Sequence, residues 1–258
     1  MKLQENSDRN SANENGVLEP QKNQSPWPKV IISLTDEQKA IRDEFMLLHL
    51  EAMSTKWYNI IEKFNHGYPL RSFVPGCRTL EIGAGIGSHL EWEKYAEQDY
   101  YCLELRPELC DKIKEKYPQV KTLTADCQKR LPFEDGFFSR VLAIHVLEHL
   151  PDLPKALEEI HRVLSDKGEL SVVIPCEGGW AYTLARNVSA KPHFKKKYKM
   201  SYDWVVKSEH INLPDEIFEE LTKLFSIKHR SFYPLIFPWT KINLVIGLTL
   251  SKKITSIK

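Results

Sequence analysis

Two hydrophobic rhythms alternate along the middle of this chain. Short apolar runs of strand length recur at Arg78 to Ile82, Tyr100 to Leu105, Val120 to Thr124, Val141 to His145 and Glu169 to Ile174. Between them apolar residues return at helical spacing, as in Pro107 to Tyr117 and Pro154 to Leu164. Asp152 stands where it can cap the second of these helices, and Gly168 where it can close the exit loop. Such alternation predicts an α/β fold, a parallel sheet with helices on both faces. Beyond Pro175 the rhythm breaks: residues 176–213 mix aromatics with Lys and Arg without a clear period and read as an insertion. Pro214 to Phe225 is helical again, with Ile217, Leu221 and Leu224 on one face, and Ile227 to Tyr233 and Leu244 to Leu250 read as two closing strands.

Ahead of the first strand the pattern differs. Residues 1–25 are polar and nearly free of large apolar side chains, so they are expected to form a disordered tail. Thr35 and Gln38 form a capping box, followed by Ile41, Phe45, Leu48 and Ala52 at helical spacing. Trp57 to Phe64 extends or repeats the helix. Residues 26–76 therefore read as a helical cap before a domain over 77–258. Two readings stand for these helices: they cover a ligand pocket, or they pad the sheet edge. Two also stand for the apolar stretch Phe232 to Trp239, which is packing between strands or a patch facing lipid or substrate.

Composition narrows the class. The chain has 258 residues and a formal charge of +1, so no global field favours nucleic acid or an anionic membrane. Lys195, Lys196 and Lys197 read as a solvated face. Five cysteines form no C-x-x-C pair, which argues against a metal site and for reduced thiols in the cytoplasm. No apolar run is long enough to span a bilayer, and the N-terminus lacks an apolar signal core. Weak membrane contact is left open, and the oligomeric state is not specified.

The chemistry concentrates at Thr79 to Leu90, where a strand runs into Gly83, Gly85 and Gly87 before a helical pattern. Glycines at a strand end let the backbone turn sharply and approach a ligand. The dinucleotide motif places its third glycine one residue later, and the Gly-Lys-Ser/Thr of a phosphate-binding loop is absent. Glu81 would repel a pyrophosphate and suit a cation.

Glu81-x-Gly83-x-Gly85-x-Gly87 resembles the first motif of class I S-adenosylmethionine (SAM) methyltransferases. The ordered set that follows is similar to the methyltransferase type 11 group: Glu104 ending the second strand, Ala125-Asp126-Cys127 with Leu131-Pro132-Phe133, and Ile144-His145-Val146-Leu147-Glu148-His149. The resemblance implies a Rossmann-like, seven-stranded, mostly parallel sheet whose last strand is antiparallel. It implies SAM as cofactor, held by Glu81, Gly83, Ala84, Gly85, Gly87, Glu104, Leu105, Asp126, Cys127, His145 and Val146. Glu104 would accept hydrogen bonds from ribose hydroxyls, or else pair with Arg106. Asp126 would face the adenine amino group, or else cap a turn. His145 leads the candidate bases, ahead of His149, with Glu148 holding a nearby positive group. Tyr182 is the second catalytic candidate, and Arg186, Tyr202 and His210 are possible lining groups. Trp180, Tyr182 and Trp204 are candidates to stack a flat ring.

The expected partner is a small-molecule acceptor, most simply a hydroxyl of a metabolite or glycan precursor. The alternatives are C-methylation of a lipid-like quinone precursor, or a non-catalytic SAM-binding protein.

Overall fold

A computed structural model describes residues 27–52 and 58–253. The expected tail at 1–25 lies outside the described residues. Helices α1 (Asp36–Ala52) and α2 (Tyr58–Gly67) come first. The sheet and its connections follow as β1 (Arg78–Ile82), β2 (Asp99–Glu104), α3 (Pro107–Lys116), β3 (Lys121–Thr124), β4 (Phe138–Ile144), α4 (Leu153–Val163) and β5 (Leu164–Pro175). Helices α5 (Trp180–Val188), α6 (Ala190–Tyr198) and α7 (Asp203–Glu209) fill the stretch without period. Then come α8 (Pro214–Leu224), β6 (Phe225–Tyr233) and β7 (Val245–Lys252).

The seven strands lie in the order β3-β2-β1-β4-β5-β7-β6. Strands β1 to β5 are parallel, and the last strand, β7, runs antiparallel to both its neighbours. The sheet is therefore mixed, Rossmann-like and antiparallel only at β7, as the resemblance implied. All parallel strands end at one edge, where ligand crevices of such sheets lie.

Side chains alternate between the two faces of each strand, and the faces differ. Leu80, Ile82, Val141, Ala143, Val172, Ile174, Leu248 and Leu250 point one way and form a continuous apolar layer with Leu153, Leu157 and Ile160 of α4 and Ile217 and Leu221 of α8. On the other face Cys102 and Leu142 meet Ile113 of α3, while Val173 and Val245 meet Tyr68, just past α2. Tyr68 lies flat on β7 because Gly247 offers no Cβ; one there would sit 2.6 Å from the ring.

Between those two apolar patches the second face is polar. The β1–β2 connection holds no α-helix, against expectation: Ser88–Glu91 and Tyr95–Glu97 form short 3-10 turns. Side chains fill the space instead. Buried Arg140 donates to Glu93 Oε2 (2.7 Å), Ser72 Oγ (3.0 Å) and the Pro69 carbonyl (2.8 Å). Glu93 also meets His89 Nε2 at 3.2 Å, His89 meets His66 across their Nδ1 atoms at 3.3 Å, and His66 Nε2 lies 2.9 Å from Glu62. A chain of polar contacts thus links α2 to β4. Burial pushes His89 down to about 4, so its ring is neutral at neutral pH. Burial would raise Glu93, yet His89 and Arg140 hold it down to about 2.

Four further expectations need correction. Asp152 occupies the first capping position of α4, but its side chain pairs with Lys155 at 2.6 Å and caps nothing. Gly168 lies inside β5, which starts directly after α4. Leu48 is exposed, whereas Phe45 packs with Phe194 and Val205. Leu235, Ile236, Phe237 and Trp239 are exposed and do not pack between strands. The capping box is present, with reciprocal Thr35 and Gln38 bonds of 3.0 and 3.2 Å.

Candidate functional site

The carboxyl edge of the sheet brings the sequence-predicted residues together. Beyond β1, Gly83, Gly85 and Gly87 all take positive φ (65°, 57° and 81°), where a Cβ would strain the backbone. A Cβ on Gly83 would meet Val146 Cγ2 at 2.5 Å, so the end of β4 presses directly on the loop. A Cβ on Gly85 would meet nothing within 4 Å, which makes that glycine the floor of an open cradle. Ala84 is buried behind it, and its N–H and that of Gly83 bond the Leu103 carbonyl.

Glu104, at the end of β2, is buried and reaches across the loop. Its Oε2 accepts from Gly85 N at 3.0 Å, its Oε1 from Arg106 N at 3.3 Å, and the Arg106 guanidinium lies 3.5 Å away. The pairing with Arg106 is therefore present, and the same carboxylate also holds the backbone of the glycine loop. Leu105 projects into solvent beside it. After β3, Asp126 Oδ1 accepts from Gln128 N at 3.0 Å, an Asx-turn, while Oδ2 lies 3.8 Å from Lys129. Cys127 is buried, and burial pushes its thiol up to about 12, so it packs and does not react.

Glu81 sits beneath the loop on the polar face and accepts a 2.7 Å bond from the Tyr100 hydroxyl. Burial pushes its carboxyl up to about 8. Near neutral pH it is therefore largely protonated, so the standing negative charge expected for it is absent until a cation arrives.

The strand-to-turn junction after β4 carries a strained residue. His145 has φ 52°, uncommon for a residue with a Cβ. Its Nδ1 lies 3.2 Å from Glu148 Oε1, and a carboxylate only accepts, so Nδ1 carries the proton. Nε2 is buried and has no hydrogen-bond partner, and in the neutral ring it is the nitrogen with the lone pair. Burial would raise Glu148, but the His145 hydrogen bond, with His149 and His210 nearby, holds it below the usual carboxylate range. His149 donates from Nδ1 to the Glu209 carbonyl at 2.6 Å, and burial lowers its pKa. It serves to pin the turn.

A second pair joins His210, named from the sequence as a lining group, to Glu177, which the sequence reading missed. Glu177, two residues past β5, bonds His210 Nδ1 at 2.7 Å and Arg186 at 2.7 Å. Burial would raise this carboxyl, but His210 and Arg186 hold it down to about 2. A carboxylate close behind the end of a parallel strand was the available signal. The Tyr182 ring lies 6.4 Å from that of His210, and burial raises its phenol, so it is a donor and no base near neutral pH. Tyr202 and Trp204 pack around Phe45 and Phe194.

The residues present fit SAM: a glycine cradle, a buried carboxylate acceptor at Glu104, and an orphaned imidazole nitrogen on His145 just past β4.

Comparison with known proteins agrees. Residues 80–172 match the methyltransferase domain family. The chain is 29% identical over 141 residues to the sterol 4-C-methyltransferase strm-1 of Caenorhabditis elegans, covering 51% of this chain and 39% of that protein. It is 26% identical over 148 residues to the demethylmenaquinone methyltransferase of Chlorobaculum tepidum, covering 52% and 58%. In neither case does the chain span two thirds of the relative. The fold is similar to a SAM-dependent methyltransferase of Thermotoga maritima, described as a possible histamine N-methyltransferase (TM-score 0.56, 17% identity, 83% of this chain and 99% of that one). Motif, topology and family match converge on residues 80–172 as a class I S-adenosylmethionine-dependent methyltransferase domain.

Proposed function

We propose that the chain transfers the methyl group of SAM to a small-molecule acceptor that loses a proton, with a hydroxyl the simplest case. The observation that carries this is His145: Nδ1 tied to Glu148, Nε2 buried and unpartnered, on the residue before Val146, whose side chain abuts Gly83. Bound SAM supplies an activated methyl. The chain's part is to align it with the acceptor and take a proton away. Glu104 holds ribose, Asp126 and Cys127 with Leu105 flank adenine, and Glu81 with the backbone of Gly83 to Gly87 receives the amino-acid end. The Nε2 of His145 accepts the acceptor's proton, and Glu148 stabilises the imidazolium that results. Tyr182 donates a hydrogen bond to the acceptor. Glu177 orients His210 toward the same space.

A second reading of the acceptor, one with a lipid-like body, is favoured by the exposed Trp180, Phe237 and Trp239 at this edge. Two of the relatives are named for a sterol and a demethylmenaquinone.

The test is labelled SAM against fractionated metabolites and lipids, followed by His145→Gln on the product found. Turnover should fall about 10²–10⁴-fold while SAM affinity by calorimetry stays within a few-fold. Parental turnover in His145→Gln would remove His145 as base, and binding of SAM with no transfer to any fraction would leave a binding protein.

A further inference from the structure

Strand β6 runs antiparallel to β7, and β7 antiparallel to β5. Strand β6 therefore ends at the same edge as the glycine loop and His145. The connection from Tyr233 to Val245 hangs over that edge, and it is fastened from inside. Asn243, fully buried, donates to the carbonyls of Phe237 (2.8 Å) and Trp239 (3.0 Å) and accepts from Leu235 N (2.8 Å). A loop clamped through its backbone turns its side chains outward. Ile236 is 93% exposed, Phe237 69% and Trp239 66%.

The surface continues onto α5. That helix starts beside the loop: a Cβ on Gly179 would lie 2.6 Å from the Thr240 carbonyl. Trp180, Leu184 and Val188 recur every four residues along one stripe, and all are exposed. Apolar side chains on two rigid elements thus form one rim at the mouth of the crevice.

Charge decides what covers it. Across residues 176–213 and 234–244 basic side chains outnumber acidic ones eight to three, in a chain whose formal charge is +1. The three acids are already engaged: Glu177 by Arg186 and His210, Asp203 by Lys191, and Glu209 by Arg42 and His149. Lys195, Lys196 and Lys199, on and just past α6, and Lys241 beside Trp239 are exposed. Two copies meeting through this rim would bring like charges together. An anionic lipid surface matches both its apolar prongs and its positive flank.

We propose that this rim docks on an anionic lipid bilayer, with Ile236, Phe237, Trp239 and Trp180 at headgroup depth, so that the crevice opens toward the lipid phase. The inference rests on reading this edge as the acceptor's entrance.

The experiment is sedimentation of the full chain with vesicles of phosphatidylcholine alone or mixed with phosphatidylglycerol. Binding should be about tenfold or more stronger on the anionic vesicles and fall with salt. Ile236→Ser/Phe237→Ser/Trp239→Ser should lose it about tenfold, and Lys195→Glu/Lys196→Glu should erase the lipid preference. Both variants should keep parental SAM affinity, which also shows that they fold. No sedimentation with either vesicle, equal binding by the triple variant, or a dimer in ultracentrifugation that the triple variant breaks overturns the proposal. Vesicle binding without methyl transfer to any acceptor would retain the docking and sink the acceptor reading; transfer without vesicle binding would do the reverse.

Discussion

The two faces of one sheet solve the same packing problem with opposite chemistry. Under α4 and α8 the layer is entirely aliphatic and aromatic, and its stability is area removed from water. Under the β1–β2 connection a charged chain from Glu62 through His66, His89 and Glu93 to Arg140 does the filling. An apolar layer tolerates imperfect geometry and ignores pH. A buried ionic one depends on each partner being present and correctly protonated. The polar face continues beneath the glycine loop through Glu81, a group that the proposed function also assigns to the cofactor.

The largest expected effect breaks the polar face. Arg140→Met should cost about 3–5 kcal/mol in urea unfolding, because buried Glu93 loses its guanidinium partner and keeps only hydrogen bonds. Glu93→Met/Arg140→Met should recover most of that; if the double variant is as weak as the single one, the network contributes more than charge pairing. On the apolar face, Leu157→Ala should cost about 3 kcal/mol through the cavity it leaves. That cost should be the same at pH 5 and pH 8, whereas a pH-dependent value would mean the faces are coupled. Removing the carboxylate that bridges loop and β2, Glu104→Ala should weaken SAM by about 1.5–3 kcal/mol, read by calorimetry, and an unchanged affinity would detach Glu104 from the cofactor.

The smallest effect concerns pH. Glu81 titrates near 8 in the fold against an ordinary 4.5, so the folded state holds an extra proton between those values. Its contribution is whole below about 4.5 and is lost as pH rises through 8. His89 near 4 and Glu93 near 2 act oppositely: their contributions are present above 6.5 and 4.5 respectively, and are lost as pH falls. Glu81→Gln should therefore raise stability more at pH 8 than at pH 5. Thermal unfolding at the two values decides it.

The parallel strands and the glycine turn were legible because their signals are local. Periodicity, a glycine needing positive φ and an acid at a strand end all lie within a few neighbouring residues. The polar face was not legible. Arg140, Glu93, His89 and His66 each look like surface groups, and their burial depends on contacts dozens of residues apart. The missing helix after Gly87 escaped for the same reason, since Ser88 to Trp92 suits a helix until His89 and Glu93 are drawn inward. Apolarity of Leu235 to Trp239 suggested core because sequence shows what a side chain is, and not whether a residue such as Asn243 turns it outward. Glu177 was overlooked although it stands close behind a predicted strand, since its meaning depends on His210, far along the chain.

The backbone at position 145 has a consequence for how this protein would respond to selection. A side chain held at φ 52° costs about 1–2 kcal/mol that glycine would not. For folding alone, imidazole is a poor occupant of that site. Laboratory selection for heat resistance, with methyl transfer left unrewarded, should therefore move His145 toward glycine or asparagine, and Glu148 toward glutamine once its partner has gone. The survivors would be hardier and inert, and selection for transfer would drive the same two positions back.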